Sequence, residues 1–136
     1  MINSFQGDYR FLSNFWPVRV QLDGATYTTV EHAYQAAKTL DDRERNTVRR
    51  ALTPGEAKRA GRRVTKRADW EQVKIEVMRV LLQQKFRSDY LHDKLQATRG
   101  HELVEGNTWG DTFWGVCRGV GENHLGKLLM QIRDNG

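Results

Sequence analysis

The stretch Thr28-Thr29-Val30-Glu31-His32-Ala33-Tyr34-Gln35-Ala36-Ala37-Lys38 decides how the rest of the chain is read. Thr28 followed three residues later by Glu31 is a capping-box signal, so a helix is predicted to begin here. At about 100° per residue, Val30, Ala33, Tyr34 and Ala37 fall on one side, which predicts a core-facing stripe. Glu31, Gln35 and Lys38 share a second side, about a quarter turn away. Glu31 and Lys38 lie roughly 10 Å apart along such a helix, too far for an ordinary i,i+4 ion pair. A carboxylate, an amide and an amine therefore line one edge without local neutralisation. The competing reading is structural: Glu31 caps the helix, and Lys38 complements the dipole at its far end.

Upstream of this stretch, Val18-Arg19-Val20-Gln21-Leu22 alternates apolar with polar, as a strand with one wet face does. Asp23-Gly24 is a hairpin turn signal, and Ala25-Thr26-Tyr27 is the predicted return strand. Downstream, Asp41 to Leu52 is strongly charged and predicted helical. Thr53 as cap and Pro54 at the first position predict a short helix that runs to about Ala60 and stops at Gly61. Around it sits a basic cluster of Lys58, Arg59, Arg62, Arg63, Lys66 and Arg67. Both a solvated basic face and a phosphate or nucleic-acid grip fit that composition. Asp69 is the predicted cap of a long core helix, Trp70 to Phe86, with Trp70, Val73, Val77, Met78 and Leu81 as its apolar stripe. A shorter helix is expected near Tyr90 to Ala97, a brief strand over His101–Glu105, and a final helix capped by Asn123 with Leu125, Leu128, Leu129 and Ile132 inward.

Two irregular segments carry unusual side chains. Phe5-Gln6-Gly7-Asp8-Tyr9-Arg10-Phe11-Leu12-Ser13-Asn14-Phe15-Trp16 is rich in aromatics that do not alternate as a strand would. Such rings stack on a base or pack in a small core, and at least half of them are expected in the core. In Gly106-Asn107-Thr108-Trp109-Gly110-Asp111-Thr112-Phe113-Trp114-Gly115-Val116, glycines interrupt regular structure and allow the backbone to approach a ligand. Two indoles flank the carboxylate of Asp111, a composition that suits a site better than a plain loop. The glycines at 119, 121 and 126 lack a following lysine-serine or lysine-threonine pair, which excludes a Walker-type P-loop.

At 136 residues, with 38% hydrophobic and 29% charged, the chain is expected to fold as one domain spanning residues 1–136. Its single cysteine, Cys117, excludes an internal disulfide and a cysteine-based metal site. No apolar run approaches the ~20 residues that span a bilayer, so no membrane partner is expected. The start lacks the pattern of a signal peptide, and the expected location is cytoplasmic. A net charge of +5 suits an anionic partner, either a phosphorylated small molecule or a nucleic acid.

Four stretches together resemble the NADAR superfamily, also called the YbiA-like family. They are Phe11–Phe15, Glu31–Lys38, Asn107–Asp111 with Trp114-Gly115, and Gly121–Arg133. They span almost the whole chain in the family's order. The resemblance implies a mainly helical α+β fold with a short hairpin or small sheet. It also implies a hydrolase of ribosyl N-glycosidic bonds that needs no cofactor or metal. The implied partners are phosphorylated ribosyl or ADP-ribosyl substrates. These are early riboflavin-biosynthesis intermediates, or ADP-ribosyl-guanine in nucleic acid.

Cleaving a ribosyl C–N bond builds positive charge on the sugar and negative charge on the departing base. Glu31 and Asp111 are the candidate carboxylates. Lys38 is the third catalytic candidate, either as a phosphate grip or as an amine that attacks the opened sugar aldehyde. Trp109, Trp114 and Phe11 are candidates to stack on the base. Gln35, Asn14 and Asn107 are candidates to hydrogen-bond the substrate, and Arg10 or Arg19 to meet its phosphate. Two rivals are non-catalytic: a nucleic-acid-binding module built on the basic cluster, and an ADP-ribose-binding domain without chemistry.

Overall fold

A computed structural model describes all residues, Met1–Gly136. The chain is α+β and mainly helical, with six α-helices and two two-stranded sheets. It forms two compact units. One is Asn14–Lys85; the other joins Met1–Ser13 to Phe86–Gly136.

The Asn14–Lys85 unit opens with the hairpin β1 (Pro17–Leu22) and β2 (Ala25–Thr29), paired antiparallel with Val20 opposite Tyr27 and Leu22 opposite Ala25. Asp23 and Gly24 both have positive φ, 49° and 87°, which is what a two-residue turn matching the strand twist requires. The period of β2 turns Tyr27 and Thr29 inward and leaves Thr28 exposed. That register corrects the helix cap. Thr29, not Thr28, caps α1 (Val30–Ala37), with its Oγ1 accepting from the His32 backbone N–H at 3.0 Å.

Helix α2 (Asp42–Arg49) is shorter than the expected Asp41–Leu52 and has Asp41 as its cap, while α3 (Pro54–Gly61) has the predicted Thr53 cap and Pro54 in its first turn and includes Gly61. In α4 (Trp70–Lys85) Trp70, Met78 and Leu81 are buried. The Asp69 carboxylate does not cap it. That carboxylate is taken by a two-pronged pair with Arg67, at 2.6 and 3.0 Å, and only the Asp69 carbonyl meets the Gln72 and Val73 N–H groups. The expected inward residues Val73 and Val77 are half-buried and line a groove of about 460 Å³ beside Gln21 and Leu22 of β1. At this edge the Gln84 side-chain amide bonds the Gln21 backbone twice, accepting from its N–H at 2.7 Å and donating to its carbonyl at 2.9 Å. Lys85 closes the helix fully buried, and desolvation pulls its ammonium down to about 7. Helix α1 packs against the hairpin, α2, α3 and α4, so its side chains face protein on most sides.

The second unit contains a 3₁₀ turn (Gly7–Leu12), α5 (Asp89–Gln96), the short parallel pair β3 (Gly106–Asn107) and β4 (Val116–Cys117), and α6 (His124–Asn135). Leu91, Leu95, Leu103, Leu125, Leu128 and Leu129 form much of its core, with Ile132 half-buried at its edge. The expected strand over His101–Glu105 is reduced to one bridge, Leu103 to Ile2. Asn123 stands at the head of α6, but its side chain makes no cap bond. It ties the preceding chain instead, donating to the Leu103 carbonyl and accepting from the Glu105 N–H, both at 3.0 Å. No helix is long and apolar enough to cross a membrane.

Candidate active site

The first turn of α1 is locked without help from Glu31. His32 Nε2 lies 3.0 Å from the Ala51 carbonyl, which only accepts, so Nε2 carries the proton in the neutral ring. Nδ1 then accepts from the Thr29 hydroxyl at 2.7 Å, while the same Oγ1 receives the His32 backbone N–H. Thr29 and His32 together complete the cap. Glu31 is 7% exposed, and its carboxylate accepts from Gln35 Nε2 at 3.3 Å. The Glu31 backbone N–H donates to the Asn14 carbonyl at 3.1 Å, which brings Asn14 beside this edge.

Gln35 is 4% exposed, and its Oε1 is buried with no hydrogen-bond partner; Asn14 Oδ1 is in the same condition. Gln35 Oε1 faces the backbone of Gly61, and the Asn14 amide nitrogen lies 3.6 Å from Met78 Sδ. Gln35 is held in place by Gly61, where an added Cβ would run into Gln35 Oε1 and would lie 2.7 Å from its Cδ.

Lys38, at the end of α1, is half-buried, with Nζ 5.8 Å from the centre of the Tyr34 ring. Burial is the main cause that lowers its pKa below 10.5. The Glu31 carboxylate pulls in the opposite direction, and Lys66, Arg62 and Lys58 add to the lowering. Glu31, Gln35 and Lys38 thus share one helix edge where a carboxylate and an amine feel each other electrostatically.

In the second unit the loop between β3 and β4 is built by its own polar side chains. Asp111 Oδ1 accepts from the backbone N–H groups of Phe113 at 3.1 Å and Trp114 at 2.9 Å. Asn107 clasps the Asp111 backbone, accepting from its N–H at 3.0 Å and donating to its carbonyl at 2.9 Å. Gly115 has a different reason from the one expected. A Cβ there would strike the Glu105 backbone and carboxylate oxygens and sit 2.8 Å from Asn107 Nδ2, so the close approach is to protein. Trp109 stands 56% exposed, whereas Trp114 packs edge-on to Phe113 with ring centres 4.9 Å apart.

Among the remaining candidates, Phe11 is 3% exposed, with Lys94 Nζ 5.0 Å from its ring centre, so it is a core ring. Arg10 and Arg19 are exposed and form no salt bridge. No three His, Cys, Asp or Glu side chains converge to hold a metal ion. Sequence reasoning missed the His32 clamp and the seat that Gly61 provides. Part of the clamp is local, since Thr29 lies three residues from His32, but Ala51 is 19 residues away and Gly61 lies far from Gln35 in sequence.

The NADAR domain family matches residues 3–135. The chain belongs to this family. Among NADAR relatives, the N-glycosidase YbiA of Escherichia coli is 44% identical over 137 residues, covering 96% of this chain and 84% of that protein. A riboflavin biosynthesis protein of Vibrio vulnificus is 37% identical over 131 residues, covering 93% of this chain and 35% of that protein. The solution structure of E. coli YbiA aligns with a TM-score of 0.86 and 40% identity, over 98% of this chain and 82% of that one. With this similarity over most of both chains, the NADAR chain described here is a hydrolase acting on N-glycosyl bonds.

Proposed function

We propose that the enzyme cleaves the C–N bond of a phosphorylated ribosylamine, of the kind formed early in riboflavin synthesis, with Lys38 as nucleophile and Glu31 as its proton shuttle. The observation that carries this reading is the pairing of a desolvated, lowered-pKa amine with a buried carboxylate on one edge of α1. A lowered pKa raises the fraction of neutral amine at neutral pH, which a nucleophilic lysine needs. The riboflavin name carried by the Vibrio vulnificus relative supports the substrate class.

In the ring-opened glycosylamine, C1′ is the carbon of a protonated imine, so the departing nitrogen already carries one proton. Lys38 Nζ adds to C1′, and Glu31 takes the proton that the amine loses. The C1′–N bond to the base then breaks as Glu31 returns that proton to the departing nitrogen, leaving a Lys38 imine. Water adds to C1′, freeing Lys38 and the sugar aldehyde. Gln35, whose Nε2 donates to Glu31 at 3.3 Å, orients that carboxylate.

The test is mass spectrometry of the protein incubated with the ribosylamine 5′-phosphate and borohydride. Release of ribose 5-phosphate without reductant, and a reduced sugar adduct on Lys38 with it, are the expected results. Turnover without any adduct would remove Lys38 as nucleophile. A guanine-ADP-ribosylated oligonucleotide run in parallel reports the other substrate class, and release of ADP-ribose alone would reassign the substrate.

A further inference from the structure

Lys38 is fixed at its backbone and steered at its side chain. As the residue that ends α1, it gives its N–H to the Gln35 carbonyl at 3.3 Å, and its own carbonyl accepts from the Arg67 N–H at 2.7 Å. A helical side chain leans back over the turn before its own Cα, so the residue four positions earlier is the surface it meets. That residue is Tyr34. Lys38 Nζ stands 5.8 Å from the centre of its ring, within reach of a cation–π contact. Tyr34 also follows Glu31 by three residues, so it stands on the turn that separates the carboxylate from the amine.

The ring is itself braced. Tyr34 is 6% exposed, and its ring meets that of Trp70, at the start of α4, with centres 5.2 Å apart and planes at 56°. A tilted aromatic pair at this spacing is favourable beyond the area it buries, and Trp70 is only 3% exposed. Helical spacing alone makes Tyr34 one more core residue beside Val30, Ala33 and Ala37. An aliphatic side chain would serve that purpose, but it would offer no face to an ammonium group.

The charges around the amine give such a face a definite task. Burial is the main influence against the ammonium form of Lys38. Glu31 on α1 supports that form and outweighs each nearby cation singly, while Lys66, Arg62 and Lys58, from α3 and the chain after it, oppose it. In the proposed reaction Glu31 alternates between charged and neutral as it moves the proton, so its support for positive charge on Nζ is intermittent. The Lys38 imine keeps one proton on nitrogen and is therefore cationic. An aromatic face needs no ionisation to favour that charge.

We propose that Tyr34, braced by Trp70, is a positioning residue for the reaction: its ring face holds Lys38 Nζ on the Glu31 side and favours positive charge on that nitrogen, in the resting ammonium and in the protonated imine alike. This deepens the proposed function and rests on Lys38 as the reacting amine.

The experiment places phenylalanine, and phenylalanines with one, two and three ring fluorines, at position 34 of the full chain. Fluorines drain the π face while nearly keeping the shape of the ring, and Tyr34→Phe, which retains the face, is the reference. Each variant is read by its pH–rate profile with the ribosylamine 5′-phosphate and by borohydride trapping. Along the series the alkaline rise of kcat/KM should move to lower pH, by about half a unit in total, because the ammonium loses support. On the alkaline plateau kcat should fall about threefold with KM little changed, because the cationic imine loses the same support. A ring that only fills space leaves both readings flat, and that result overturns the proposal. Flat readings with the Lys38 adduct formed throughout would sink the role of Tyr34 and keep the nucleophile. A responsive series with no adduct would keep the contact between ring and amine and sink the nucleophile. If the substrate does not turn over, an NMR titration of the Lys38 ε-methylene across the series decides, and an unmoved midpoint rejects the assignment of Tyr34.

Discussion

The edge of α1 and the loop between β3 and β4 both place an acid among unusual neighbours, yet they use it in opposite ways. In the loop, Asp111 Oδ1 is taken by backbone N–H groups and the Asn107 amide by the Asp111 backbone and the Glu105 carboxylate, so polar atoms serve to hold shape. On α1 Thr29 and His32 make the cap, and the edge beyond it carries the buried Glu31 carboxylate bonded to Gln35, one Gln35 oxygen without a partner, and a desolvated amine. Polar atoms that are satisfied build structure. Polar atoms held buried and unsatisfied are held for something else.

The largest expected effect breaks the α1 edge directly. Lys38→Ala should lower kcat by about 10⁴-fold and abolish the borohydride adduct, while thermal unfolding changes little because no packing core is emptied. Glu31→Gln should cost about 10² to 10³-fold in kcat. It carries a second signature. The carboxylate raises the Lys38 pKa, so its loss should move the alkaline rise of kcat/KM to lower pH, and Arg62→Ala or Lys66→Ala should move that rise to higher pH. A pH–rate profile of each variant reads both signs.

Gly61→Ala tests whether the edge depends on its seat. A Cβ aimed at Gln35 must displace that side chain or α3, so unfolding stability should fall by about 1–3 kcal/mol in denaturant titration, with activity reduced as well. The loop should prove more forgiving. Asp111→Asn keeps an oxygen acceptor for the Phe113 and Trp114 N–H groups and loses only charge, so about a tenfold fall in kcat is expected. Asp111→Ala leaves those two donors unanswered and should lower stability by about 1–2 kcal/mol as well. Equal collapse of Asp111→Asn and Glu31→Gln would erase the distinction between the two regions.

A separate expected effect concerns stability against pH rather than a substitution. Lys85 is held near 7 when folded and returns to its ordinary value near 10.5 when unfolded, so the unfolded chain binds more protons between those limits. Stability should therefore rise with pH across that window, as urea titrations at the two ends would read. A flat profile would mean that the amine stays charged inside.

Much of the fold was legible because local chemistry agrees with it. Asp23-Gly24, Thr53-Pro54 and the leucine spacing of the last helix each specify their element within a few residues. The errors share one physical cause. Thr28, Asp69 and Asn123 each look like caps from their neighbours alone. Strand register turns Thr28 outward, Arg67 claims the Asp69 carboxylate, and Leu103 and Glu105 claim the Asn123 amide. The polar edge Glu31–Gln35–Lys38 was readable from helical spacing. The basic cluster was visible only as a run, because the bonds that fix it, from the Arg67 N–H to the Lys38 carbonyl and from the Thr65 N–H to Glu44, join distant segments.

One quieter contact governs how the molecule behaves in company. A strand at the margin of a sheet offers a ready template for another chain to extend. Gln84, with one N–H and one carbonyl set at the spacing of a peptide unit, occupies that template at Gln21 as a false strand would. At this one residue the helix side chain takes both backbone bonds that a neighbouring strand would otherwise make.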